Sequence, residues 1–261
     1  MNIEFNKVKR IFAFGCSFTK HCYPTWADII SKEAPNALYI NLAITGLGNQ
    51  GISSRLVEAS KRFKFCDTDL ILLMYSTTFR EDRYIGDGWK SYGSVYNNHF
   101  YDRQFIDKYV DPIGMLIRDL ATMELTNNYI ESLSSQSIVL RSVPIDNESD
   151  DNRFNRSAKF RTLLQLYKGL LDSMPPTLLE LELNNQWRNH VRYQDMFGEI
   201  INDSHPTPDV YYSYLKKIGL NLTDKSDIFV QGAMGKLNNC RTLKDLQSTF
   251  PEQFNTNGIM L

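Results

Sequence analysis

KVKRIFAF at residues 7–14 runs directly into Gly15-Cys16-Ser17-Phe18-Thr19. The first segment ends apolar and aromatic and predicts a β-strand that stops at Gly15, where the chain can turn sharply. A serine then stands just past the strand's carboxyl end. In open parallel sheets, that edge is where ligand and catalytic sites lie. A hydroxyl there stands clear of the strand, and the N-terminus of a following helix offers backbone N–H groups to a developing oxyanion. A plain turn with a capping serine uses the same residues, so this segment alone leaves both uses open.

Outward from this stretch, strands and helices alternate. Pro24 precedes a helix expected over 25–34, and 38–43 predicts a second strand. Over 49–64, Ile52, Leu56, Ala59 and Phe63 recur at helical spacing. DLILLMY at 69–75 predicts a strand covered on both faces. Strand, helix, strand, helix, strand implies an α/β fold, a central parallel sheet with crossover helices. Residues 80–110 hold Gly86, Gly88 and Gly93 with many Tyr and Asn and little periodicity, as a long rim loop or insertion would. Asp111-Pro112 opens a helix whose buried face is Ile113, Leu116, Ile117, Leu120 and Leu125. SIVLRSV at 137–143 predicts a fourth strand, and 146–155 a charged loop. Residues 157–173 and 210–219 suit helices, and 177–183 suits a strand or a helix. The expected organisation is one domain over 1–218 and an extension over 219–261 that wraps the domain or meets a partner.

Composition narrows the partners. The chain has 261 residues, enough for one large α/β domain, and a formal net charge of -1. No global basic field is present to attract nucleic acid, and none is expected as a partner. Cysteines at 16, 22, 66 and 240 form no C-x-x-C pair; they suit free thiols in a reducing compartment, with a Cys16–Cys22 bridge left open. The amino-terminal residues are polar, and the longest apolar stretch, residues 70–75, is far too short to span a bilayer. The expectation is a cytoplasmic protein without membrane contact.

Two further segments carry chemistry. Asn41-Leu-Ala-Ile-Thr-Gly46-Leu-Gly48-Asn49 follows the second strand and opens a helix. Its Gly46 N–H is a candidate oxyanion donor; a simple glycine loop with Asn49 as helix cap is the alternative. Asn202-Asp203-Ser204-His205-Pro206 places one of four histidines beside an acid and before a proline-initiated helix. A carboxylate next to an imidazole fixes its tautomer and stabilises the imidazolium formed when a serine loses its proton. A surface loop with capping residues is the alternative there.

Taken together, in this order, the three segments resemble the SGNH, or GDSL-like, hydrolase superfamily. That family's G-D-S-x-[ST] block is matched by Gly15-Cys16-Ser17-Phe18-Thr19. Its Asn-x-Gly-x-x-Gly block is similar to residues 41–46, ending at Gly46, and its Asp-x-x-His-Pro block to Asp203-Ser204-His205-Pro206. The resemblance covers about residues 7–80 and 195–218. It implies a three-layer sandwich of flavodoxin-like SGNH type and a serine esterase or deacylase with Ser17 as nucleophile, His205 as general base and Asp203 as its acid. Backbone or side-chain donors from Ser17, Gly46 and Asn49 would form the oxyanion hole, without metal or cofactor. The implied substrate is a small-molecule or carbohydrate ester, including O-acetyl esters. Gly-Cys-Ser-Phe-Thr followed by Asn-Gln-Gly-Ile also resembles divergent SGNH-like proteins of tailed phages, which implies host cytoplasm or virion as location and virion or oligomer contacts through 219–261.

Departures from the family pattern are specific. Cys16 replaces an aspartate that is not the nucleophile. After the third strand, Ser76-Thr77-Thr78-Phe79-Arg80 replaces Gly-x-Asn-Asp, so that oxyanion donor is either missing or replaced by Ser76, Thr77, Arg80 or Asn49, with Thr77 and Arg80 as candidate substrate-binding residues. The acid lies two residues before His205 rather than three. These departures also suit a catalytically silent SGNH fold used for binding or assembly. Cys16 is a second candidate nucleophile, turned away from Ser17 in a regular turn. Asp67, Asp69, Glu81 and Asp82 suit strand-edge and loop solvation. Tyr92, Tyr96, Tyr101 and Tyr109 suit either a substrate groove or mixed core and surface. Trp187, Arg188, His190 and Arg192 suit a solvated helix face, or a site for an anionic or sugar substrate.

Overall fold

The structure, a computed structural model, describes residues 3–86, 88–96, 100–145, 157–184, 186 and 188–254. Four parallel strands form the central sheet: β1 (Arg10–Phe14), β2 (Leu38–Asn41), β3 (Asp69–Tyr75) and β6 (Gln136–Arg141), in the order β2-β1-β3-β6. Phe14 pairs with Leu73 at the carboxyl edge. The order reverses between β1 and β3, so the crevice beyond those two strand ends is the switch point of the sheet.

Period-two alternation distributes the strand side chains to two cores. Phe12, Phe14, Ile71, Leu73 and Tyr75 face α2 (Asn49–Phe63) and α4 (Pro112–Glu131), where Ile52, Leu56, Leu116 and Leu120 are buried. Ile11, Ala13, Leu70, Leu72 and Met74 face the other side. They pack with Trp26, Ile29 and Ile30 of α1 (Trp26–Ser31) and with Tyr211, Tyr214 and Leu215 near the chain's end. Every residue of β3 is buried, as its unbroken apolar pattern requires. The result is a three-layer α/β sandwich. Among the described residues no helix is long and apolar enough to cross a membrane.

Several expectations need correction. Residues 80–110 are not an irregular loop: β4 (Arg80–Ile85) and β5 (Gly88–Ser94) form an antiparallel hairpin, followed by α3 (Arg103–Tyr109). The hairpin lacks a buried face over most of its length, so hydrophobic alternation does not mark it. Residues 158–173 form two helices, α5 (Ala158–Leu166) and α6 (Lys168–Ser173), that meet at Tyr167. Residues 178–183 are a helix, α7 (Leu178–Leu183), opened by a Thr177/Glu180 capping box. Arg192 lies on a strand, β7 (Val191–Gln194), rather than a helix face; β7 pairs with β8 (Ile200–Asp203). The charged loop expected over 146–155 falls outside the described residues, as do His99 and Trp187.

Asp69 and Asp82, assigned to solvation, do structural work instead. Asp69 is fully buried, and both its oxygens accept from Arg10 at 2.7 Å. Asp82 reaches across from β4 and accepts from the Gly48 and Gly51 N–H groups at 2.7 and 2.8 Å, capping α2. A carboxylate there satisfies helix N–H groups that the sequence-adjacent Gly48 has no side chain to meet.

After α8 (Pro208–Lys217), three more helices follow among the described residues: α9 (Asp224–Leu237), α10 (Leu243–Thr249) and α11 (Pro251–Phe254). Val230 of α9 shares the core with α1. Buried Glu33 accepts from the Thr223 N–H and Thr223 hydroxyl, both at 2.8 Å, and from the Ser226 hydroxyl. Glu33→Ala leaves the two Thr223 donors without their acceptor, while the Ser226 hydroxyl keeps the Ile29 carbonyl at 3.1 Å. It should cost about 2–3 kcal/mol, read as a lower denaturation midpoint, and speed proteolytic release of the segment from residue 220 onward. An unchanged midpoint would show that apolar packing alone docks α9.

Candidate active site

Ser17 emerges from a turn that only glycine permits. A Cβ at Gly15 would lie 2.1 Å from Thr19 Oγ1 and 3.2 Å from the Met74 carbonyl oxygen. The loop is held from both flanks: Asn41 Nδ2 donates to the Thr19 carbonyl at 2.9 Å, and the Thr25 hydroxyl donates to it at 2.8 Å. The chain after β2 runs beside it, with the Ile44 N–H donating to the Gly15 carbonyl at 3.2 Å. Asn41 therefore ties the second sequence block to the first.

The imidazole arrives from the other end of the chain. Asp203 closes β8, and its Oδ1 accepts from both the His205 N–H, at 2.9 Å, and His205 Nδ1, at 2.7 Å. The two-residue spacing makes an Asx turn, so the short Asp-x-His step tightens the acid–imidazole pair. His205 Nε2 lies 2.8 Å from Ser17 Oγ. Ser17 is 5% exposed, and the Phe18 ring leans on the imidazole at 5.1 Å between centroids. Tyr23 donates its hydroxyl to the His205 carbonyl at 2.8 Å.

A second imidazole, which the sequence patterns did not single out, completes the cluster. His21 Nε2 lies 2.6 Å from Asp203 Oδ2. An ionised carboxylate only accepts, so both ring nitrogens facing it carry protons. That leaves His205 Nε2 as acceptor for the Ser17 hydroxyl. Burial alone would push the Asp203 carboxyl up, but the hydrogen bonds from His205 and His21 hold it well below the usual carboxylate range. Burial pushes His21 down, against the pull of Asp203. The available signal for His21 was only its rarity and its place four residues past Ser17. Contacts of 2.6 and 2.7 Å join the three side chains as a hydrogen-bonded cluster.

Other candidates fall elsewhere. Asn49 has its amide fully engaged: Oδ1 accepts from the Ser76 N–H at 2.8 Å, while Nδ2 donates to the Ser76 carbonyl at 3.2 Å and to Asp119 Oδ2 at 2.9 Å. It braces the end of β3, and its side chain has no donor left for an oxyanion. Burial pushes Asp119 up to about 6, although Arg118 and Asn49 pull it down. Arg118 also bonds Glu81 at 3.0 Å. Arg80 donates to Thr77 Oγ1 and to the Leu47 carbonyl, both at 3.0 Å, so these two residues hold the glycine loop. Gly46 adopts φ +82°, and Ser91 of β5 bonds its carbonyl. The Ser17 and Gly46 N–H groups donate to no acceptor among the described residues. Cys16 is wholly buried against Trp26 and Tyr211, and all four cysteines are free, so the Cys16–Cys22 bridge does not form. Tyr92 and Tyr101 pack with each other, and Tyr101 and Tyr109 each pack on Phe105; Tyr96 leans on Phe79. His190 donates its N–H to the Asp203 carbonyl at 2.7 Å.

No protein-family model matches the chain, and no curated protein matches it. Solved structures it is similar to include protein YXIM from Bacillus subtilis, at 13% identity and TM-score 0.33 over 62% of this chain and 42% of that one. Phospholipase A1 from Streptomyces albidoflavus is 11% identical, with TM-score 0.38 over 81% of this chain and 98% of that one. LAE5, an α/β hydrolase enzyme from the metagenome of Lake Arreo, is 13% identical, with TM-score 0.39 over 81% and 95%. The chain spans less than half the length of the Bacillus protein. Two of the three are hydrolases by description, but likeness this distant does not fix chemistry.

The cluster makes stability depend on pH. Folded His21 binds its proton more weakly than the unfolded side chain, so unfolding takes up a proton and stability falls as pH drops below about 6.5. Asp203 is shifted down, so its contribution is complete above about pH 4 and is lost on further acidification. Denaturant midpoints should decline from pH 8 to pH 5 in the wild type and decline less in His21→Gln. Equal declines would show that His21 does not titrate with unfolding.

Proposed function

We propose that the chain is a serine ester hydrolase of SGNH type, with Ser17 as nucleophile, His205 as general base and acid, and Asp203 behind it. The observation that carries this reading is the continuous path from Ser17 Oγ to His205 Nε2 at 2.8 Å and from His205 Nδ1 to Asp203 Oδ1 at 2.7 Å. Its place at the switch point of a parallel sheet supports it further.

In the first half-reaction, Ser17 Oγ bonds to the ester carbonyl carbon as its proton passes to His205 Nε2. The carbonyl π pair moves onto oxygen, and the resulting oxyanion is received by the N–H groups of Ser17 and Gly46. Asp203 stabilises the imidazolium through Nδ1–H. Collapse breaks the bond to the alkoxy oxygen, which takes the proton from His205 Nε2 and leaves as an alcohol. Water, giving a proton to the same nitrogen, then attacks the acyl-enzyme. Its tetrahedral intermediate releases the carboxylic acid and returns the proton to Ser17. A nucleophile only 5% exposed favours a short acyl group. A small ester, or an O-acetyl group on a carbohydrate as the family resemblance implies, is the substrate class.

Ser17→Ala and His205→Ala should each lower turnover of p-nitrophenyl acetate by at least about a thousandfold, and a fluorophosphonate should label Ser17 in the wild type. Undiminished turnover in a clean Ser17→Ala preparation removes Ser17 from the mechanism. A folded wild type that neither hydrolyses the ester nor takes the label favours the silent binding or assembly role instead.

A further inference from the structure

The Ser17–His205–Asp203 path uses one oxygen of Asp203. The other, Oδ2, accepts from His21 Nε2 at 2.6 Å. The His21 ring also stacks on His205, with centroids 4.1 Å apart and planes 24° from parallel. Its edge meets Tyr23 at 4.6 Å and 85°, and Tyr23 in turn holds the His205 carbonyl. His21 thus touches the acid and the base from a segment 182 residues away from Asp203. We infer that His21 is a positioning residue that, as a neutral donor to Asp203, fixes the carboxylate and the stacked His205 ring. This rests on the triad reading above.

The physical case has three parts. A carboxylate bonded through one oxygen can swing about its Cβ–Cγ bond; a donor on the second oxygen from a separate segment stops that motion, as supporting hydrogen bonds do for catalytic and metal-binding rings. A donor to the carboxylate also draws charge from it, so a variant that lacks the donor should hold an imidazolium at His205 more firmly than the wild type does. Finally, two charged imidazoles at 4.1 Å would repel, so His21 must stay neutral while His205 cycles. Burial of the His21 ring acts in that direction.

The neighbours leave this pair to titrate with little interference. Cys22 and Tyr23 face Asp203 from the loop after Ser17, His190 and Tyr193 from the start and middle of the β7 segment, and Tyr211 from α8. Burial pushes the Cys22 thiol up to about 12 and the three phenols well above their ordinary value, so all four stay neutral where an imidazole titrates. Burial moves His190 down.

The test is the titration of His205 by NMR of 15N-histidine-labelled wild type, His21→Phe and His21→Gln. Phenylalanine keeps a ring against His205 without the donor; glutamine returns a donor nitrogen near the position of Nε2. His205 should titrate about one pH unit higher in H21F and near the wild-type value in H21Q. The acid limb of kcat/KM for p-nitrophenyl acetate should move in the same way. Identical titration in all three proteins, or H21Q shifted as far as H21F, overturns the inference. If H21F does not fold, the wild type decides: His21 should stay neutral and protonated on Nε2 through the interval in which His205 takes up its proton. A His21 that becomes charged first, or carries its proton on Nδ1, overturns the inference equally. Ester turnover absent from every variant counts against the triad reading, while the His205 titration still judges the role of His21, so the two failures are distinct.

Discussion

A negative charge at Asp203, 4% exposed, survives folding only because three N–H groups converge on its two oxygens. Removing a carboxylate from water without such donors would raise its pKa until it took up a proton. A neutral carboxyl would no longer dictate which nitrogen of His205 is protonated. The acceptor face of His205 toward Ser17, and with it the chemistry assigned to the site, therefore depends on this one satisfied charge.

The parallel sheet supplies the placement. β1 and β3 are buried on both faces, which fixes their register, and their carboxyl ends open at the point where strand order reverses. Gly15 lets the chain leave β1 without meeting Thr19 or the Met74 carbonyl, and Asn41 anchors the turn from the neighbouring strand. Asp203 comes from outside this sheet, on the small β7–β8 hairpin. The site is thus assembled from a rigid edge and a separate ribbon, joined through His205 and Tyr23.

The chain just after β3 is held by a buried polar network. The Asn49 amide grips both backbone groups of Ser76 and continues through Asp119 and Arg118 to Glu81 on the β4–β5 hairpin. Asp82 on the same strand caps α2, and Ser91 on β5 bonds the Gly46 carbonyl. The hairpin is therefore a brace for the glycine loop. In a buried polar network of this kind each group depends on its partners being present.

Local sequence determined the elements whose information is local. The apolar run of β3, the glycine that ends β1, the periodic face of α2 and the proline at the start of α4 each follow from side-chain period or backbone restriction, and together they made the parallel α/β class legible. The same local chemistry made Ser17, Gly46, Asp203 and His205 candidates. The T-x-x-E capping box was also present and would have decided 177–183 in favour of helix. The exposed hairpin over 80–94 was not legible, because strands without a buried face leave no alternation. Nor was the engagement of Asn49 by Ser76 and Asp119, or of Asp82 by α2, since a side chain's hydrogen-bond partner is set by what the fold brings within about 3 Å. The meeting of Ser17 with a ring 188 residues away, and the arrival of His21 at the second oxygen of Asp203, belong to tertiary structure alone. A buried charge recruits donors by proximity in space, and sequence separation carries no trace of that distance.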